Sequence, residues 1–285
     1  MTRKLKAILA LTLIVCIVFT SNLVLANGFV RKNSFVNATG QNRINEIKKF
    51  QAMNNLVVTG TFDARTKDML YNPDFQSYDV VKNPPTNGLW IVVNKTKKIL
   101  TVYNGKEVDV KFPVALGTSA TPTPSAKAKI SNLAVNPAWG GMGGKYTPRA
   151  ANDPLNPLGE RWMGLVIPGK FGYGIHGTIR PREIGMYVSN GCIRMFNYDI
   201  ENFVFPKMKS GTPVWLGTDE ELNSWGVYQY VDKISNNLPE TPVTPVEPVS
   251  PVETPKDPVI EVPSVIQPEE PKPEETAPII TNIEP

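Results

Sequence analysis

At Pro84 and Pro85 the hydropathy pattern of this chain changes, and the change limits what the longest part of it can become. Beyond the two prolines the period turns to two. "LWIVVN" (89–94) and "KILTVYN" (98–104) predict strands around a turn at Lys95–Lys97. Asn104-Gly105 is a strong hairpin signal leading into "EVDVKFPVALG". "KISNLAV", "MGLVIP", "YGIHG", "MYVS" and "PVWLG" continue the series to Gly217. So many short strands with so few helices between them predict a mainly β fold, a sandwich or barrel-like sheet.

Two segments interrupt the strands. Asn136 to Trp162 is rich in Gly and Pro and too long for an ordinary connection, which marks a functional or disordered loop. "FNYDIENFVFPKM" predicts a helix with Asn197 as N-cap, Asp199 and Glu201 near its positive start, and Pro206 at its end.

Before the prolines the period is helical. "RINEIKKFQAMNN" spaces Ile44, Ile47 and Phe50 three apart, and Thr61 or Asp63 is placed to cap a second short helix ending near Leu70. Phe50-Gln51, Leu56 to Gly60, Thr66 and Leu70 resemble the later part of a peptidoglycan-binding domain of small helices. A plain helical spacer is the alternative.

Both ends are biased. Arg3, Lys4 and Lys6 precede an apolar run, Ala7 to Phe19, and Val24 and Ala26 fit the small positions before a cleavage site. This reads as a secretory signal over 1–26 and predicts an exported protein. The last 47 residues, 239–285, hold 13 of the 27 prolines and 10 acids, which predicts an extended, disordered tail. The expected division is therefore signal 1–26, helical segment 27–83, β domain 88–217, extension 218–238 and tail 239–285.

Residues 27–238 carry 25 basic and 16 acidic side chains. A basic body suits an anionic surface such as a bacterial wall. Nucleic acid is the other standard partner, and export argues against it.

Removal of the leader leaves Cys192 as the one cysteine, and His176 is the one histidine in the chain. A lone exported thiol cannot form an internal disulfide, and a single His and Cys make a poor metal site. A thiol redox role lacks its second cysteine. Acylation of a thiol needs a thiolate, a base to generate it and donors for an oxyanion. Cys192 follows Asn190-Gly191, where Gly permits a sharp turn, and His176 ends an apolar strand. A buried structural Cys with a surface His remains the bland alternative on these facts alone.

The wider pattern is more specific. "HGT" at His176–Thr178, followed by "SNGCIRM" at Ser189–Met195, resembles the catalytic domain of the L,D-transpeptidases, the YkuD-type family, over roughly Gly88 to Gly217. "TPTP" at Thr121–Pro124 and "NPLGERW" at Asn156–Trp162 are weaker matches. The resemblance implies Cys192 as nucleophile, His176 as its base and the Gly177 carbonyl as the group orienting the imidazole. It implies an oxyanion or substrate pocket at Ser189, Asn190 and Gly191, and an Arg194 that holds a stem-peptide carboxylate or braces the loop. No metal or cofactor is implied. The expected activity is formation of 3→3 cross-links between peptidoglycan stem peptides. An L,D-carboxypeptidase and a non-catalytic wall-binding protein are the alternatives.

Overall fold

The computed structural model describes residues 37–72 and 74–233. The leader read over 1–26 and the Pro-rich tail over 239–285 lie outside the described residues.

The strand pattern produces one eight-stranded sheet. It is built from β2 (Leu89–Asn94), β3 (Ile99–Asn104), β4 (Glu107–Pro113), β6 (Ala126–Val135), β7 (Arg161–Val166), β8 (Gly174–His176), β10 (Ile193–Arg194) and β11 (Pro213–Gly217). Their order is β10-β8-β7-β6-β11-β2-β3-β4. The pairs β8–β10 and β2–β11 are parallel, and the remainder antiparallel. The turn between β3 and β4 forms at Asn104-Gly105, with Gly105 at φ +58°.

Both faces of the central strands are covered, which explains why "LWIVVN" is almost continuously apolar. Ile91 and Val93 join a core with Leu100, Val102, Val214 and Leu216, to which β6, β7, β8 and β10 also contribute. Trp90 and Val92 point the other way, to Trp215, Leu222 and Val227. One core shared by both halves of the sheet means that the sheet curls on itself. Its edges meet where Ala115, just past β4, bridges Arg194 of β10. There the short β5 (Leu116–Gly117) also pairs with β9 (Tyr187–Ser189). The described residues are thus mainly β, with a curled sheet and few helices.

The helical segment is smaller than its sequence span. Helix α1 covers Gly40–Met53 and α2 covers Ala64–Tyr71, with Asp63 accepting from the Thr66 amide as N-cap. Ile47 and Phe50 are buried with Leu56, Met69 and Leu70, whereas Ile44 stays exposed. Gln51 is fully buried, and its side chain ties down Thr59, Gly60 and Thr61.

The end of that segment is not helical. Phe75–Val81 forms β1, antiparallel to β12 (Val227–Lys233) in the extension. With helix α3 (Asp219–Ser224) this ribbon covers the second face of the sheet, through Val81, Leu222 and Val227. A buried polar cluster joins the parts. Lys111 on β4 donates to Asp79 on β1 at 2.5 Å and to Asn55 after α1, and Tyr103 on β3 donates to the other Asp79 oxygen.

Asn197 does not cap the helix expected after Phe196. Its side-chain oxygen instead accepts from the Thr178 amide at 2.6 Å. The helical stretch runs as an α turn (Asn197–Asp199), a π turn (Ile200–Val204) and a 3-10 turn (Phe205–Lys207) that contains Pro206.

Candidate active site

The parallel pairing of β8 with β10 builds the site. Its register sets Ile193 beside Ile175 and Arg194 beside His176. The residue before β10, Cys192, and the last residue of β8, His176, therefore come to one end of neighbouring strands. Both line a single cleft of about 1000 Å³. Asn190, Ser189 and Arg194 line it too, together with Trp139 and Tyr146 of the 136–162 loop.

His176 is buried, and its Nδ1 lies 2.7 Å from the Gly177 carbonyl oxygen. That contact places the ring proton on Nδ1 and leaves Nε2 as the basic nitrogen. The indole of Trp162 on β7 stacks on the imidazole, centroids 5.8 Å apart. Gly177 carries no side chain for a physical reason: a Cβ there would lie 2.3 Å from the Asn197 oxygen that holds Thr178. The segment after the histidine is thereby fixed from the helical stretch.

Cys192 is half-buried, and its thiol is directed at the Gly172 carbonyl at 3.4 Å. The turn before it depends on Gly191, at φ +109°, where a Cβ would meet the Tyr173 ring at 2.6 Å. We expect Gly191→Ala to slow acylation of Cys192 by about a hundredfold, through displacement of the sulfur rather than loss of it. Intact-mass measurement of acylation checks this, and a rate within threefold of the parent would contradict it.

Ser189 and Gly191 act differently from a set of free oxyanion donors. The Ser189 hydroxyl donates to the Cys192 carbonyl at 2.6 Å and accepts from the Gly191 amide at 3.1 Å. That amide is thus engaged inside the turn. Asn190 faces the cleft and donates to the Tyr146 hydroxyl at 3.4 Å. Arg194 donates to Glu183 at 2.6 Å, which makes it a brace of the 180–194 segment. Its Nε is buried without a hydrogen-bond partner among the described residues.

Several positioning residues escaped the sequence reading. Thr121 donates from its hydroxyl to the Ser189 carbonyl at 3.0 Å, and Thr123 to the Gly191 carbonyl at 2.9 Å. The signal was the "TPTP" stretch itself, in which each proline removes a backbone donor and leaves threonine hydroxyls to do the bonding. Asn156, also buried, donates to the carbonyls of Pro137 and Ala150, closing the base of the long loop. Glu183 carried no sequence signal at all.

Burial lowers the His176 imidazole to about 4, and the Arg194 guanidinium adds to this; the Gly177 and Leu158 carbonyls oppose it. Burial also pushes the Cys192 thiol up, against the pull of the Gly174 backbone and Arg194. At neutral pH the resting pair is therefore thiol and neutral imidazole. The unfolded histidine, near 6.5, takes a proton before the folded one does. The stability this confers is complete above pH 6.5 and is lost as pH falls toward 4, amounting to about 3 kcal/mol. Denaturant titrations at pH 7, 5.5 and 4 should show that loss in the parent and not in His176→Gln. Equal pH dependence in the two proteins would exclude it.

A curled sheet brings a cysteine and a histidine to one cleft, with a backbone carbonyl behind the histidine, an arrangement capable of thiol acyl transfer. The family model of the L,D-transpeptidase catalytic domain (YkuD) matches residues 88–216. A putative L,D-transpeptidase, YqjB of Bacillus subtilis (strain 168), is 34% identical over 140 residues, covering 48% of this chain and 76% of that protein. The putative L,D-transpeptidase YkuD of the same organism is 36% identical over 118 residues, covering 41% of this chain and 60% of that one. The crystal structure of an L,D-transpeptidase from Mycobacterium tuberculosis H37Rv aligns at 17% identity and a TM-score of 0.38, over 46% of this chain and 57% of that chain. The chain belongs to the L,D-transpeptidase catalytic-domain family.

Proposed function

We propose that this protein is exported and joins peptidoglycan stem peptides through a thioester on Cys192, giving 3→3 cross-links. The observation that carries the reading is the His176 Nδ1 contact with the Gly177 carbonyl, in a cleft that also holds the Cys192 thiol. It leaves Nε2 free to take a proton. The basic balance of residues 27–238 supports association with an anionic wall.

The resting pair is neutral, so proton transfer accompanies attack. As Cys192 Sγ bonds to the carbonyl carbon at the L-centre of the third stem residue, its proton passes to His176 Nε2. In this reading the Cys192 amide serves as a backbone donor to the developing oxyanion. Collapse breaks the peptide bond to D-Ala, and its nitrogen takes the proton from His176. An amine of a second stem then attacks the thioester and gives its proton to Nε2. The new amide forms, and the sulfur leaves with that proton as a thiol.

The test is incubation of the mature protein with disaccharide-tetrapeptide, with products read by mass spectrometry. Dimers with loss of D-Ala are expected. Tripeptide without dimers would replace this reading by a carboxypeptidase, in which water resolves the thioester.

A further inference from the structure

The cleft contains three arginines, Arg149, Arg180 and Arg194, while no Asp or Glu is among its lining residues. Their states differ. The Arg194 side chain is 16% exposed and bound to Glu183 at 2.6 Å. Arg149 is 32% exposed and paired with Asp153 at 3.5 Å. The Arg180 side chain is 70% exposed, and its one acid among the described residues, at 3.3 Å, is the same Glu183 that Arg194 holds. An exposed pair of this length contributes little and is readily exchanged for another carboxylate. One Glu between two arginines also leaves a net positive charge at this end of the cleft.

The backbone beneath Arg180 is fixed although its side chain is not. Its amide donates to the Thr178 hydroxyl at 2.9 Å, and the Thr178 amide is held by Asn197 at 2.6 Å. Pro181 follows and sets the chain direction. The guanidinium thus springs from an anchored segment four residues beyond His176.

We propose that Arg180 reads a free carboxylate of the donor stem peptide, carried beside the scissile bond, and so makes the protein selective for donors that are not amidated there. This rests on the transpeptidase reading of the site. A guanidinium binds a carboxylate through two charge-assisted hydrogen bonds, whereas a primary amide keeps one acceptor and no charge. Two carboxylates of a stem have this chemistry: the side-chain carboxylate of a diamino diacid at the third position, and the free α-carboxylate of the second residue.

The experiment compares kcat/KM for three donors: both carboxylates free, the third-residue carboxylate amidated, and the second-residue carboxylate amidated. Amidation at the position that Arg180 reads is expected to lower kcat/KM about tenfold, and the donor affected identifies the source. In Arg180→Gln that ratio falls to near one, and Arg180→Lys restores part of it. A merely structural role would lower all three donors together. The proposal is overturned if neither amidation matters by more than twofold, or if the preference survives in Arg180→Gln. Equal turnover of every donor sinks the proposal and leaves the transpeptidase reading standing; absence of turnover with all three sinks both.

Discussion

Cys192→Ala is expected to abolish transfer, lowering dimer formation by about a thousandfold or more while leaving the fold intact. The two halves of this expectation have separate causes. The chemistry requires a nucleophile, and the cleft holds no other thiol. The fold asks little of that sulfur, which is half-buried and makes a long contact, 3.4 Å, to the Gly172 carbonyl and another to the Gly174 backbone. The turn that carries it is held by Ser189, Thr121 and Thr123, all of which remain in the variant. Thermal unfolding should therefore shift by only a few degrees. Rates of muropeptide dimer formation, measured on protein shown to be folded, decide the matter. A variant that still transfers within tenfold of the parent would remove Cys192 from the mechanism.

Lys111→Ala should produce the largest loss of stability, about 3–5 kcal/mol. The Lys111 and Asp79 side chains are each 4% exposed, and their charged atoms are 2.5 Å apart. Burial pushes the Lys111 ammonium below its usual value, and Asp79 opposes that shift. Truncation leaves the Asp79 carboxylate without its counter-charge, held by the Tyr103 hydroxyl and by the Asn55 amide at 2.7 Å, and also removes a donor to the Asn55 oxygen. Replacing both partners, Lys111→Met with Asp79→Leu, removes the uncompensated charge and should recover much of the loss. Guanidinium unfolding of the single and double variants checks this. A loss below about 1 kcal/mol in Lys111→Ala would show that the pair contributes nothing net.

That pair also marks where reading by local pattern stops. The strands of the main sheet were legible because a residue's place on a pleat depends on its immediate neighbours. β2 and β3 follow the apolar runs after Pro84-Pro85, and Gly105 takes the positive φ that its Asn-Gly turn requires. β1 was not legible. "FQSYDVV" shows no clean alternation, and its pairing partner β12 lies about 150 positions away. Asp79 faces inward from that strand because Lys111 and Tyr103 wait there, which no short-range rule reveals.

The site divides in the same way. His176, Cys192 and the Gly191 turn were legible because their residue types are rare and their chemistry is particular. Bonding partners were not. Asn197 has a good capping side chain, yet its oxygen goes to the Thr178 amide, since the curled sheet brings that donor within 2.6 Å. Ser189 could have aimed its hydroxyl at a ligand; instead it closes the cysteine turn on itself.

The sequence alone determined which side chains have the chemistry for a reaction and which stretches extend or coil, because side-chain chemistry and backbone preference act within a few residues. Only the tertiary structure decided what each group touches: that Arg194 is held by Glu183 while Arg180 keeps its guanidinium exposed, and that Thr121 and Thr123 clamp a turn 68 positions away. Those partners meet because the sheet curls until its edges join at Ala115 and Arg194, and that closure belongs to the whole chain rather than to any segment of it.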